Sequence, residues 1–236
     1  MNSFNIYLSL LSVVLLTACS FMIADANDSG EAASDKQEPY KITRETETKD
    51  IKEYLFSIEY PQTRNDQIDQ SIIDYVNQAK DAFKKESYDA KLKNSHQKHT
   101  LDVTYDILHE DERVFVVKFT EKMDMGNQPE QEKYTVLNFD KSNGKRLDLD
   151  HIFTEDKEYL DTLNELADDR VEGNFNLMSD DRFRNLAVIG DRVEVYLTER
   201  EKKDVEADSK KIQIPKAELK DLMRPRYAEI HNSWID

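Results

Sequence analysis

The stretch KYTVLNFDKSNGKRLDLDHIF, Lys133 to Phe153, decides the fold. Its first half, Tyr134 to Asp140, alternates β-branched and aromatic residues between two faces, the pattern of a half-buried strand. Lys141-Ser142-Asn143-Gly144 supplies a turn, since Asn and Gly tolerate the positive φ of tight hairpins. Lys145 to Asp150 returns with Leu147 and Leu149 on one face and Arg146, Asp148 and Asp150 on the other. His151-Ile152-Phe153 closes the unit just before a helical pattern opens. The spacing predicts a hairpin feeding a helix at the centre of the molecule.

Upstream, Ile51 to Tyr60 reads as a strand with Tyr54, Phe56 and Ile58 on one face, stopped by Pro61. Asp66 to Phe83 places Ile68, Ile72, Val76, Ala79 and Phe83 at helical spacing, with Asp66 and Asp69 suited to the helix dipole at its start. Leu101, Val103, Tyr105 and Ile107 alternate with polar residues, and Arg113 to Lys122 returns with Phe115, Val117 and Phe119 on one face. Between them His109-Glu110-Asp111-Glu112 reads as a solvated hairpin tip. Lys84 to Thr100 reads as a polar loop or frayed helix, and Met123 to Glu132 as another loop.

Downstream, Asp156 to Asn174 carries Tyr159, Leu160, Leu163, Leu166, Ala167 and Val171 at helical spacing, with a stop at Gly173-Asn174. Phe183 to Thr198 reads as a hairpin turning at Gly190-Asp191. Glu199 to Lys211 is a charged loop, and Lys211-Ile212-Gln213-Ile214 a short strand. Pro215 opens a helix carrying Ala217, Leu219, Leu222 and Met223. The predicted class is α+β, with helices packed on antiparallel sheets in two lobes.

Charged residues make up 35% of the 236-residue chain and hydrophobic ones 38%, with 49 acidic against 33 basic residues and a net charge of −16. So acidic a chain disfavours nucleic acid and polybasic lipid binding as functions. It would attract cationic partners over a Debye length of about 8 Å. The single cysteine, Cys19, excludes an intramolecular disulfide and a thiolate zinc site.

Phe4 to Leu16 is an apolar run too short to span a membrane comfortably and suited to a signal-peptide core, although no Lys or Arg precedes it. It ends in Leu16-Thr17-Ala18-Cys19, which resembles the bacterial lipobox. The expectation is a lipoprotein signal peptide over 1–18, cleavage after Ala18 and lipidation of the Cys19 thiol. A flexible tether over 19–49 would follow, then lobes at 50–153 and 154–223 and a tail at 224–236.

Motifs for chemistry are missing: there is no G-x-S-x-G, H-E-x-x-H, P-loop or G-x-G-x-x-G. His96 and His99, three apart in NSHQKHT, read as a solvated pair rather than metal ligands, and His151 as a buried hydrogen-bonded residue. Asp140, Ser142 and Gly144 superficially suggest a calcium loop, but the Gly is one position early for an EF-hand, and turn chemistry explains them. Neighbouring carboxylates such as Asp168–Asp169 do not define an acid/base pair. No catalytic residue, metal or cofactor is assigned.

One resemblance runs from Lys49 to Met223. Ser57 to Pro61, Tyr105, Val116 to Thr120, Asn138-Phe139-Asp140 with Gly144, Leu147-Asp148-Leu149 with Ile152-Phe153, and Ile214-Pro215 with Leu219 together resemble the extracytoplasmic PdaC/RsiV-like domain family. That family comprises α+β modules of peptidoglycan deacetylases and of lysozyme-responsive anti-sigma factors. A loop of the Gly-Gly-Ala-His-Pro kind in many members corresponds here to Met125-Gly126-Asn127-Gln128-Pro129. Gln128 replaces the His, so a ligand role of that His does not carry over. The resemblance implies a membrane-anchored, non-catalytic module that binds a cell-wall glycan such as peptidoglycan, or a cationic wall hydrolase such as lysozyme. An envelope sensor or assembly factor working through a membrane partner, or a wall-modifying hydrolase, are the other classes. Loops after strands often present binding groups, so Gly126, Asn127, Gln128, Pro129 and Tyr134 are the candidate contacts.

Overall fold

The computed structural model describes residues 38–92, 97–126, 129–154, 158–170, 183–197, 211–219 and 221–235. A six-stranded sheet is built from β1 (Thr43–Asp50), β2 (Tyr54–Gln62), β3 (His99–Glu110), β4 (Val114–Asp124), β5 (Gln131–Asp140) and β6 (Arg146–Leu147), in that spatial order. A three-stranded sheet follows, β7 (Leu186–Ile189), β8 (Arg192–Tyr196) and β9 (Lys211–Pro215). The helices are α1 (Asp66–Leu92), α2 (Leu149–Ile152) and α3 (Glu158–Asp168), with single turns at Lys216–Leu219 and Pro225–Ala228. The α+β class holds, with its strands split between two sheets.

All neighbours pair antiparallel except β2 and β3, which run parallel from Tyr54↔His99 to Ile58↔Val103. A parallel join needs a long crossover, and the 27-residue α1 supplies it. Asn65 caps α1, its Oδ1 accepting the N–H groups of Gln67 and Ile68 at 3.1 and 3.2 Å. The predicted stripe of Ile68, Ile72, Val76, Ala79 and Phe83 is buried against the sheet. The helix runs past Phe83 because Ser87 is buried too, its hydroxyl 2.8 Å from Nδ1 of His99. His99 is therefore a core residue, not half of a solvated pair; His96 lies outside the described residues.

Strand β4 explains why two cores share one sheet. Phe115, Val117 and Phe119 face α1 with Phe56, Val103 and Phe139, whereas Val114 and Val116 face the second sheet with Val136, Val188 and Val195. A strand covered on both faces reads as the continuous apolar run Val114-Phe115-Val116-Val117. Each large side chain so buried contributes about 1.5–3 kcal/mol.

Strand β2 does not stop at Pro61 but runs through it to Gln62, paired there with β1 alone among the described residues, because β3 no longer flanks it beyond Ile58 and the missing N–H breaks no ladder there. Two further boundaries differ from the sequence expectation. Thr43–Asp50, read as the end of the tether, is an edge strand paired along its length with β2. It contains no apolar residue and is held by backbone hydrogen bonds, so hydrophobic periodicity carries no trace of it. The segment read as a tail is packed: Tyr227 is buried, and the Trp234 N–H donates to the Glu110 carbonyl at 2.7 Å. Turn chemistry was legible. Gly144 sits at φ 68°, where a Cβ would come within 2.6 Å of Asn65 Oδ1, and Gly190 turns β7 into β8. No helix among the described residues is long and apolar enough to cross a membrane. Cys19, the Gly173-Asn174 stop and most of the Glu199–Lys211 loop lie outside the described residues.

Candidate functional site

The two sides of the shared sheet meet along β5. Strand β4 flanks β5 throughout, but on the other side β6 pairs only with Asn138 and Phe139. Toward Gln131 the strand runs on past β6 along the side of a groove. A cavity of about 540 Å³ lies beside this strand, walled by Tyr75, Gln78, Ala79 and Ala82 of α1, Glu121, Lys133, Tyr134, Thr135, Arg146, Arg184 and Asn185. A second cavity, of about 240 Å³, adjoins it; Arg146 and Arg184 line both. Asn138, Leu147, Asp148, Asp150, Tyr159, Leu160 and Phe183 wall the smaller one.

The floor of the larger cavity is fixed by hydrogen bonds. Burial first, and then the Glu121 carboxylate, push the Tyr75 hydroxyl well above its ordinary pKa, so it stays protonated and donates to Glu121 Oε1 at 2.9 Å. Lys133 Nζ donates to the same oxygen at 3.2 Å. In the smaller cavity Tyr159 donates to Asp150 Oδ1 at 2.9 Å. Arg146 reaches Asp148 at 3.5 Å, both side chains being largely exposed, a pairing worth at most about 1 kcal/mol. Guanidinium, phenol and amide groups together suit a polar ligand.

Among the candidate contacts, Gly126 has φ 74° and packs on Gln97, and Pro129 is exposed. Asn127 and Gln128 lie outside the described residues. Tyr134 is not a loop contact. It is buried in β5, its hydroxyl hydrogen-bonded to Glu132 and its ring 6.3 Å from that of Tyr196, although its strand borders the larger cavity. Gln78, Arg146, Arg184 and Asn185 were missed because they come from separate stretches, none of which forms a local motif.

A second polar cluster lies at the far end of the sheet, where the expected solvated tip is buried. His109, Glu110 and Asp111 are each under 5% exposed. Lys141 Nζ donates to Glu110 Oε1 at 2.7 Å and to the Glu38 carbonyl at 2.9 Å, between the rings of Tyr40 and Trp234 at 4.2 and 4.4 Å. Burial lowers the Lys141 pKa, and Glu110 opposes the shift. His109 Nε2 lies 3.0 Å from Asp111 Oδ2, while Asp111 Oδ1 accepts the N–H groups of Arg113 and Val114. Burial pushes the Asp111 carboxyl up, but these hydrogen bonds outweigh it and bring the pKa down to about 2. His151 is exposed instead of buried, its Nδ1 accepting the Asp148 N–H in a capping box. The Asp140 carboxylate closes the central turn, as its chemistry predicted, by accepting the Ser142 N–H and hydroxyl. It also accepts from Arg226 and Tyr227.

Because the folded pKa of Asp111 lies below the ordinary 3.8, its stabilisation is present above about pH 4 and is lost as pH falls toward about 2. The Asp111→Asn variant is expected to be less stable than wild type at pH 6 and to converge with it near pH 2. Urea unfolding followed by circular dichroism checks this; a gap constant with pH would refute it.

A scan against known protein families finds no match. Over 192 residues, 76% of the chain, the sequence is 24% identical to the peptidoglycan-N-acetylmuramic acid deacetylase PdaC of Bacillus subtilis (strain 168). The match takes in 41% of that protein, so the chain spans less than half the length of the curated relative. A DUF3298 family protein from Pseudomonas aeruginosa PAO1 superposes with a TM-score of 0.58 at 11% identity, over 80% of this chain and 97% of that one. Another member, from Bacteroides fragilis NCTC 9343, gives a TM-score of 0.49 at 14% identity, over 80% and 96%. The chain has the fold of the Pseudomonas protein. Its sequence is distantly PdaC-like.

Proposed function

We propose that this chain is a non-catalytic binding module of the cell envelope, held outside the cytoplasm by a lipid on Cys19, that binds a cell-wall glycan in the groove beside β5. The groove carries the reading: Arg146, Arg184, Gln78, Asn185 and the tyrosines Tyr75, Tyr134 and Tyr159 line two adjoining cavities beside β5. Distant similarity to a peptidoglycan deacetylase points to the wall as the source of the ligand. The lipobox-like Leu16-Thr17-Ala18-Cys19 supports the address.

The test is co-sedimentation of the full-length chain with purified, protein-free wall sacculi. Retention that falls when Gln78 and Asn185 are both changed to Ala is the expected result; a chain that stays in the supernatant overturns the reading. Replacing Cys19 with Ala should move the protein from the membrane fraction to the soluble one. A second reading, a cationic wall-acting protein such as a lysozyme-type hydrolase, is favoured by the net charge of −16. It requires affinity that collapses between low and high salt, because the Debye length shrinks from about 30 Å at 0.01 M to about 3 Å at 1 M.

A further inference from the structure

The alternation of β3 breaks near its end, and the break turns a histidine onto the other face of the sheet. Leu101, Val103 and Ile107 pack on the α1 side. Continued alternation would set His109 beside them. Instead the pairing with β4 slips: Ile107 stands opposite Val117, and His109 opposite Val116. Opposite residues of an antiparallel pair share a face, and Val116 packs on the second sheet, so the extra residue re-aims His109 the same way. There a cleft of about 530 Å³ opens between the end of β3, the turn from Ile189 to Arg192 and the C-terminal segment from Ile230 to Ile235, and His109 lines it.

The two nitrogens of that ring have different roles. Nε2 lies 3.0 Å from Asp111 Oδ2, and this carboxylate is ionised and can only accept, so Nε2 carries the proton. In the neutral ring Nδ1 is then an acceptor, and it is buried with no hydrogen-bond partner among the described residues. A second such nitrogen, Nε2 of His231, belongs to the same cleft and lies 3.5 Å from a Glu229 carboxylate oxygen. A buried acceptor without a donor is costly, and a ligand that brings the donor recovers that cost.

The geometry points to a second binding site: this cleft takes a neutral sugar, one of whose hydroxyls donates to Nδ1 of His109. The site stands apart from the groove beside β5 and holds whether or not that groove binds a glycan. Its volume falls within the range of about 300–1,000 Å³ usual for small-molecule sites. Ile189, Ile230 and Ile235 give it apolar walls, and hydroxyls beside a C–H face are the chemistry of a sugar ring. The charged groups at the walls are paired already, which disfavours an ionic ligand. Arg192 is engaged by Asp191 at 3.1 Å and Glu194 at 2.9 Å, and His231 Nδ1 lies 3.2 Å from Glu112. His109 is only 1% exposed, so the ligand reaches Nδ1 by easing the C-terminal segment outward. At Ser233 that segment is loosely held, its hydroxyl meeting the Glu110 backbone at 3.5 Å.

The experiment uses the full-length chain, isotope-labelled at the histidine nitrogens, with N-acetylglucosamine, its permethylated form, which has no O–H to donate, and glucuronate as probes. Magnetic resonance at pH 7 should place the proton of His109 on Nε2. Saturating N-acetylglucosamine should move the Nδ1 signal and leave the proton on Nε2, while the permethylated sugar and glucuronate leave both signals in place. The His109→Phe variant assigns the signal by its loss; if that variant does not fold, the shift of the same signal in Asp111→Asn assigns it. Ile230→Ala trims a rim position that is 62% exposed, so the fold is not at stake, and should weaken the sugar about threefold or more. A proton on Nδ1 of the free protein overturns the site. So does an Nδ1 signal that the sugar leaves unmoved, with an enclosed water as the donor instead. An equal response to the permethylated sugar overturns the hydrogen bond, and unchanged affinity in Ile230→Ala overturns the placement in this cleft.

Discussion

Replacing Lys141 with Met lowers the unfolding free energy by about 3–5 kcal/mol, the cost expected when one partner of a buried ion pair is removed and the other stays behind. The side chains of Lys141 and Glu110 are 0% and 3% exposed, so water cannot take over the lost contact. Glu110 would keep one strong donor, the Tyr40 N–H at 2.6 Å, and lose the ammonium that neutralises it. Two aromatic faces lose their cation as well, worth up to about 2 kcal/mol when desolvated. The double variant Lys141→Met/Glu110→Leu should recover much of the loss, since an apolar pair of similar volume removes both desolvation penalties together. Trp234 is the only tryptophan of the chain, so its fluorescence reports the site directly: the single variant should shift emission to the red. A loss below about 1 kcal/mol would place Lys141 among ordinary surface pairs and refute the argument. The consequence is topological. Glu38 and Tyr40 belong to the segment entering the fold and Trp234 to the segment leaving it, so one ammonium ties both ends to the tips of β3 and β5.

That cluster also shows where the sequence is opaque. His109-Glu110-Asp111-Glu112 is polar and sits between two strands, and composition alone makes it a solvated tip. It is buried because distant segments fold over it, a fact local reading cannot contain. The same limit hid β1, whose alternating Thr and charged residues contain no apolar face, and the parallel pairing of β2 with β3. What was legible was whatever the local chain must do by itself. The stripe on α1, the turn at Asp140–Gly144 and the β7–β8 turn at Gly190 follow from spacing and backbone freedom. The groove falls between these cases. The hairpin around Arg146 was readable, but its meeting with α1 and Arg184 depends on how the lobes share the sheet.

Asn138 holds that sharing in register, and the Asn138→Ala variant is expected to lose about 2–4 kcal/mol. Its side chain is buried and bonds the second sheet twice: Nδ2 donates to the Leu186 carbonyl at 2.7 Å, and Oδ1 accepts the Val188 N–H at 2.9 Å. Truncation strands a buried carbonyl and a buried N–H, each costing about 1–3 kcal/mol without a partner. Asn138→Asp separates the two bonds. The carboxylate can still accept from Val188, but it faces the Leu186 carbonyl oxygen with no proton to donate, so this near-isosteric change should be at least as damaging at pH 7 and recover as the acid protonates. Hydrogen exchange at the Val188 amide should accelerate in the Ala variant while amides in the β3–β4 pair stay protected, because the break lies between the sheets and not within the first. Asn138 also lines the smaller cavity, whereas Arg146 and Arg184 remain in place in the sequence. Weaker wall retention in Asn138→Ala, at a temperature where the variant is still folded, would therefore mean that the groove depends on the registry of the two sheets. Unchanged retention with the same stability loss would assign the groove to the first sheet and α1 alone.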